Sequence, residues 1–203
     1  MSTQAPVSAK IATPDHEILD LIKHRWSPRA FAPQRVEREK LRQLFEAARW
    51  APSCFGEQPW RYLVAPQDDA EGHAILASCL SAGNQWARQA PVLALSAAKL
   101  EFTQSGKPNR WAHHDVGAAT AYLTIQATSL GIYVHQMAGF DAAKARDLCK
   151  IPEGFEPVAL MAIGYLGDPD SLPEDLRAKE LSPRQRKPLS EFVFGATFGQ
   201  PKL

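Results

Sequence analysis

Apolar and polar positions change period several times along the 203-residue chain, and the changes predict its elements. Thr13 can cap a first helix that begins at Pro14 and runs to about His24, with Asp15 and Glu17 at its positive end. Ile18, Leu21 and Ile22 form the stripe this helix would bury. From Val36 to Ala48, Leu41, Leu44, Phe45 and Ala48 recur three or four residues apart, which predicts a second amphipathic helix. Pro52 ends the helical run that reaches Trp50, and residues 61–65 have the aromatic and branched content of a strand. Asp68 and Glu71 read as an acidic variant of the capping box for a helix through Leu80. Asn84–Gln89 reads as a short helical turn, and Val92–Leu95 as a strand covered on both faces.

The most apolar helix runs from about His113 to Leu130. Val116, Ala119, Leu123, Ala127 and Leu130 make one stripe; Ala118, Ala121, Tyr122 and Ile125 make a second, which predicts burial on nearly every face. Gly117, Ala118, Ala119 and Ala121 are small enough to admit another helix, and Gly131 is a natural stop. Ile132–Val134 is a short apolar run, Asp141 caps a helix through Cys149, and Pro157–Tyr165 is the strongest strand signal. Pro173, Glu174 and Asp175 open a further helix, and Glu191–Phe194 reads as a last strand. Residues 98–112 have no period and contain Gly106 and Pro108; such a segment in a compact chain reads as a cover over a binding site. Few strands among many helices, without a βαβ repeat, indicate an α+β domain with a mostly antiparallel sheet flanked by helices. Residues 13–203 read as a single domain behind a flexible polar tail, residues 1–12.

Composition narrows the partners. A formal net charge of +1 argues against a nucleic-acid partner. No apolar run approaches the ~18 residues of a membrane span, and the first residues lack a signal-peptide pattern. Three cysteines at unrelated spacings, Cys54, Cys79 and Cys149, form neither a disulfide framework nor a ligand set, which indicates a cytoplasmic protein.

Candidate chemistry collects in a few stretches. Residues 47–65, AARWAPSCFGEQPWRYLVA, place a hydroxyl, a thiol, a glycine and an amide in a loop between helix and strand. By spacing alone a plain helix-to-strand connection is the favoured reading. Arg25-Trp26-Ser27-Pro28-Arg29-Ala30-Phe31 puts two guanidinium groups beside a hydroxyl, a set that suits a phosphomonoester or a solvated basic turn. The basic run from Ser182 to Pro188 reads, out of context, as a nucleic-acid contact or a solvated face. His113-His114-Asp115 is not expected to bind a metal, since adjacent helical residues face different ways.

Two of these stretches carry a resemblance. Ala51-Pro52-Ser53, followed after four residues by Gln58-Pro59-Trp60, resembles the signature of the flavin-dependent nitroreductase family, and RWSPRAF resembles that family's N-terminal marker. The resemblance runs from about His16 to about Phe194 and implies an FMN-dependent oxidoreductase acting as a homodimer of the obligate kind. It implies that Arg25, Ser27, Arg184 and Arg186 hold the FMN phosphate, that Trp26 is among the cofactor-binding residues, and that Arg29 lies near N1 and the C2 carbonyl. Gln136, Met137, Ala138 and Gly139 would lie along the ring, with backbone N–H groups facing N5. Pro52, Ser53, Cys54 and Gln58 would reach the flavin from the other subunit, and residues 191–203 could cross onto the partner's sheet. Hydride would pass from NADH or NADPH to N5 and then to a small-molecule acceptor, a nitroaromatic or quinone, in ping-pong order. The absence of a G-x-G-x-x-G run agrees with a nicotinamide that visits only transiently. Relatives that remove halogens or break down flavin, and a flavin-binding protein without turnover, are the alternatives. Gly56 stands where many relatives have asparagine, and Cys54 where serine is frequent.

Overall fold

A computed structural model describes residues 8–202. Four strands, β1 (Trp60–Pro66), β2 (Val92–Lys99), β3 (Tyr133–Met137) and β4 (Phe155–Gly164), form one antiparallel sheet in the order β1-β2-β4-β3. Among the described residues, α-helices α1 (Asp20–His24), α2 (Arg38–Arg49), α3 (Ala70–Ser78), α4 (Ala112–Ser129), α5 (Ala142–Leu148) and α6 (Glu174–Leu181) surround it. The architecture is α+β, as the strand and helix pattern predicted.

Strand β2 shows why the sheet is covered on both sides. Side chains alternate across a strand. Val92, Ala94 and Ala98 join Leu41 and Leu44 of α2 and Val116, Ala119 and Leu123 of α4 in one core. Leu93 and Leu95 join Leu76 and Ala77 of α3 and Ala145 of α5 in the other. A register shift between Ser96 and Ala97 is held by the Ser96 hydroxyl, which is 3.2 Å from both the carbonyl and the N–H of Ala159. Leu123 is fully buried, and its truncation to alanine would cost about 2–5 kcal/mol.

Several expectations are corrected. The first helix is one turn, Asp20–His24, without a side-chain cap. Thr13 caps nothing, and the preceding chain is tied by Ala12 N–H to the Lys23 carbonyl at 3.0 Å. Leu21 and Ile22 are exposed rather than buried, so little apolar burial offsets the entropy of ordering a longer helix. Asp69, not Asp68, caps α3, accepting from Gly72 N–H at 3.0 Å. Helix α4 is buried on one face only: Gly117, Ala121 and Tyr122 are exposed. Strand β2 runs on to Lys99, and the segment after it folds back through a bridge between Glu101 and Pro108. Glu191–Phe194 is no strand: a 3-10 turn spans Leu189–Glu191, and Phe194 makes a single bridge with Pro201. Pro188 starts that turn, and among the described residues no sheet edge lies alongside it to supply a ladder. Of the segment read as a flexible tail, residues 1–7 lie outside the described residues, while Lys10 is buried. Among the described residues, no helix is long and apolar enough to cross a membrane.

Candidate functional site

Three guanidinium groups meet where α1 ends and the chain beyond α6 passes over it. Arg25, extended at the C-terminus of α1, donates to the Ser27 hydroxyl at 3.4 Å. Arg184 donates to the Lys23 carbonyl at 2.6 Å and to the Arg25 carbonyl, which ties residues 182–186 to the N-terminal loop. Burial lowers the pKa of both Arg25 and Arg184; Arg186 adds repulsion to each, and Arg25 further repels Arg184. Among the described residues no carboxylate pairs with any of the three. The buried Nε of Arg184 has no hydrogen-bond partner among the described residues. Three cations gathered without a carboxylate partner favour the binding of an anion, and the planar forks with a neighbouring hydroxyl suit phosphate oxygens. Arg186 lies nearer solvent, its guanidinium on the Gln185 carbonyl at 2.7 Å.

The loop continues into Arg29. Its backbone N–H and that of Ala30 both donate to Glu180 Oε1, at 2.8 and 3.1 Å, while its guanidinium is 3.8 Å from Glu180 Oε2. Behind the loop, His135 of β3 holds the Pro28 carbonyl with Nδ1 at 2.8 Å; since a carbonyl only accepts, Nδ1 carries the proton. Burial, with a smaller contribution from Arg29, takes the His135 pKa down to about 4, so the ring is neutral at pH 7. Trp86 packs on that ring with centroids 4.6 Å apart. Trp26 turns inward, edge-on to Tyr133 at 6.0 Å, so its ring serves the core beneath the loop.

Residues 136–139 form the end of β3 and the turn after it. Met137 is buried, whereas Gln136, Ala138 and Gly139 are exposed. The Gly139 carbonyl accepts from Ser81 N–H at 3.1 Å and from the Asn84 amide at 2.9 Å. A Cβ at position 139 would come within 2.6 Å of Asn84 Nδ2 and 2.8 Å of Ser81 Oγ, so a side chain there would make both polar groups shift. With the Ala138 carbonyl held by Phe140 N–H at 3.0 Å, the N–H groups of Ala138 and Gly139 have no protein acceptor among the described residues. A cavity of about 280 Å³ opens beside Arg29, walled by Phe31, Trp86, Leu172 and Leu176.

Residues 52–58 form a separate, rigid element. Asp115, buried near the start of α4, accepts from Cys54 N–H at 2.9 Å. The Ser53 hydroxyl accepts from Gln58 N–H at 3.0 Å. Glu57 accepts from Thr103 N–H at 3.0 and 3.1 Å and from its hydroxyl at 2.5 Å, and pairs with Lys99 at 3.1 Å. Those bonds, led by the Thr103 hydroxyl, hold the Glu57 pKa below the usual carboxylate range. Phe55, Gly56 and Gln58 all have positive φ, and the Phe55 ring is 94% exposed, edge-on to Phe102 at 5.8 Å. Among the described residues, no hydrogen bond, ion pair or ring contact joins this loop to Arg25–Arg29, to 136–139 or to 184–186.

The sequence reading missed Lys10, Glu57, Asn84, Asp115, His135 and Glu180. Asp115 had a signal: an acid three residues after Ala112 and four before Ala119, on the helix's buried stripe, requires a partner. The others are joined to residues far away in the chain and carry no local mark.

A family model described as the nitroreductase family matches residues 22–83 and 81–165. A solved oxidoreductase containing FMN is 35% identical with a TM-score of 0.88, the alignment covering 93% of this chain and 96% of that one. An FMN-dependent nitroreductase from Clostridium difficile R20291 is 26% identical with a TM-score of 0.63, over 73% of this chain and 87% of that one. An NADH dehydrogenase from Thermus thermophilus is 26% identical over 200 residues, 83% of this chain and 91% of the relative.

Proposed function

The chain belongs to the nitroreductase family, and we propose that it is an FMN-dependent enzyme carrying hydride from NADH or NADPH to a nitroaromatic, a quinone or a similar acceptor. The observation that carries this reading is the cluster of Arg25, Arg184 and Arg186 without a counter-ion. The FMN in a similar structure and the nicotinamide in a relative's name support it.

In this reading Arg25, Ser27, Arg184 and Arg186 hold the phosphate with charge-assisted hydrogen bonds. Bound FMN supplies the hydride exchange between nicotinamide and acceptor. Arg29 places a fixed cation where negative charge develops, and neutral His135 behind it adds none. The N–H groups of Ala138 and Gly139 are donors turned to no protein acceptor, available to a ring nitrogen. The chain needs no general base of its own. Pro52, Ser53, Cys54 and Gln58 complete the site from a second copy, because one protomer keeps that loop apart from the arginines. Trp50, Phe55, Trp111 and Tyr122 are exposed, and the small-residue face of α4 is open to such a copy. The three unpaired thiols accord with a reducing cytoplasm.

The test is an absorption spectrum of the purified protein, then NAD(P)H oxidation with and without a quinone. Flavin bands and acceptor-dependent turnover are expected; a colourless protein that takes up no FMN refutes the reading. Sedimentation of the flavin-loaded protein should give a dimer, and monomers with full flavin content would refute the shared site.

A further inference from the structure

The carboxylate of Glu180 is 2% exposed and fixes two consecutive amides of the Arg29 loop. One of its oxygens accepts those amides, and the other has no hydrogen-bond partner. Left alone with Arg29 at 3.8 Å, it would cancel the guanidinium's charge. A third charge prevents that. Lys10, 7% exposed, donates to the carbonyls of Lys179 and Ser182 at 2.8 and 2.5 Å, on either side of Glu180 in the chain. Its ammonium also lies over Trp26, 5.4 Å from the ring centroid. Burial lowers its pKa, Glu180 counters this, and Arg29 and Arg184 add smaller lowering contributions. The set Lys10, Glu180 and Arg29 therefore keeps a net positive charge. Lys10 also occupies carbonyls at the C-terminal end of α6, the helix that delivers Arg184.

We propose that Glu180 and Lys10 are positioning residues for the flavin: Glu180 fixes the backbone that aims Arg29, and Lys10 offsets Glu180 so that the Arg29 charge remains available to the ligand. The inference rests on the FMN reading above. The two substitutions separate the two roles. Glu180→Ala leaves two buried N–H groups without an acceptor and should weaken both FMN and riboflavin about tenfold or more, since Arg29 addresses the ring. Glu180→Gln retains an acceptor oxygen and should restore affinity to within about threefold of the wild type. Lys10→Met removes one positive charge near Arg29 and should move the midpoint potential of bound FMN to more negative values.

Dissociation constants come from quenching of flavin fluorescence, and the potential from equilibration with a reference dye. Equal FMN affinity in the wild type and Glu180→Ala overturns the role of Glu180. An unchanged or more positive potential in Lys10→Met overturns that of Lys10, and this arm stands even where Glu180→Ala does not fold. A wild-type chain that takes up no FMN refutes the flavin reading itself and this inference with it.

Discussion

His135 allows a quantitative test of the way β3 supports the arginine loop. Its ring is buried between Trp86 and the Pro28 carbonyl, near Arg29, and its pKa falls to about 4 from the ordinary histidine value of 6.5. Between those values the unfolded chain binds a proton that the folded chain refuses, so stability rises with pH through the window and is lost as pH falls. The linkage relation gives a loss of about 2 kcal/mol between pH 7 and pH 5, approaching about 3 kcal/mol near pH 4. His135→Asn places an amide N–H near the position of Nδ1, so it keeps a donor for Pro28 and removes the titration. Urea unfolding of both proteins at pH 7 and pH 5 isolates this group, because all other titrations cancel in the difference. The wild type should lose about 2 kcal/mol more than the variant over that interval. Equal losses would mean that the ring accepts its proton in the folded state and is not shut away from water.

Three further substitutions address the site. Arg186→Ala should weaken FMN about 10- to 150-fold without unfolding the chain, since its guanidinium makes only an exposed local bond; an unchanged dissociation constant removes it from the site. Asp115→Ala should lower kcat/KM for acceptors by about tenfold, by freeing the Cys54 amide that orders the loop, and Asp115→Asn should restore it; wild-type kinetics in the alanine variant would refute this. Gly56→Asn should fold normally, since asparagine tolerates its φ of 67° and a Cβ there meets nothing within 4 Å. It should lower kcat/KM for bulky quinones more than for small nitroarenes and leave FMN binding equal or tighter; equal losses for both would show that position 56 does not shape the pocket.

The sheet was legible in the sequence where burial on both faces removed polar residues, as in β2 and β4. Helix α2 was legible because one face is polar and the other is not. The errors share a cause. Leu21, Ile22 and Tyr122 were read as buried because apolar periodicity reports that a face should be covered, not that the same chain covers it. The same holds for Glu191–Phe194, whose strand-like pattern finds no edge within the protomer. At the site, short motifs singled out the arginine and serine segments, yet not what holds them. Glu180 lies 151 residues from Arg29, and Lys10 lies 172 from Ser182, so no local pattern could announce either bond. Asp115 was visible only as an acid in an apolar stripe.

The strand order also constrains synthesis. β4 is inserted between β2 and β3, but both of those precede it in the chain. While the chain leaves the ribosome, β1 can pair with one edge of β2 early, as soon as Lys99 has emerged. The other edge of β2, an apolar run from Val92 to Ala98, waits until Gly164 is free of the tunnel. Throughout that interval the nascent protein displays the kind of open hydrophobic margin on which strands of neighbouring chains add. Helix α4 is complete before β4 is made and can cover one face of β2, but it cannot supply backbone partners to the edge. The last third of the polypeptide thus closes an opening that the middle third creates, and a chain halted before Phe155 is left with a permanent adhesive side.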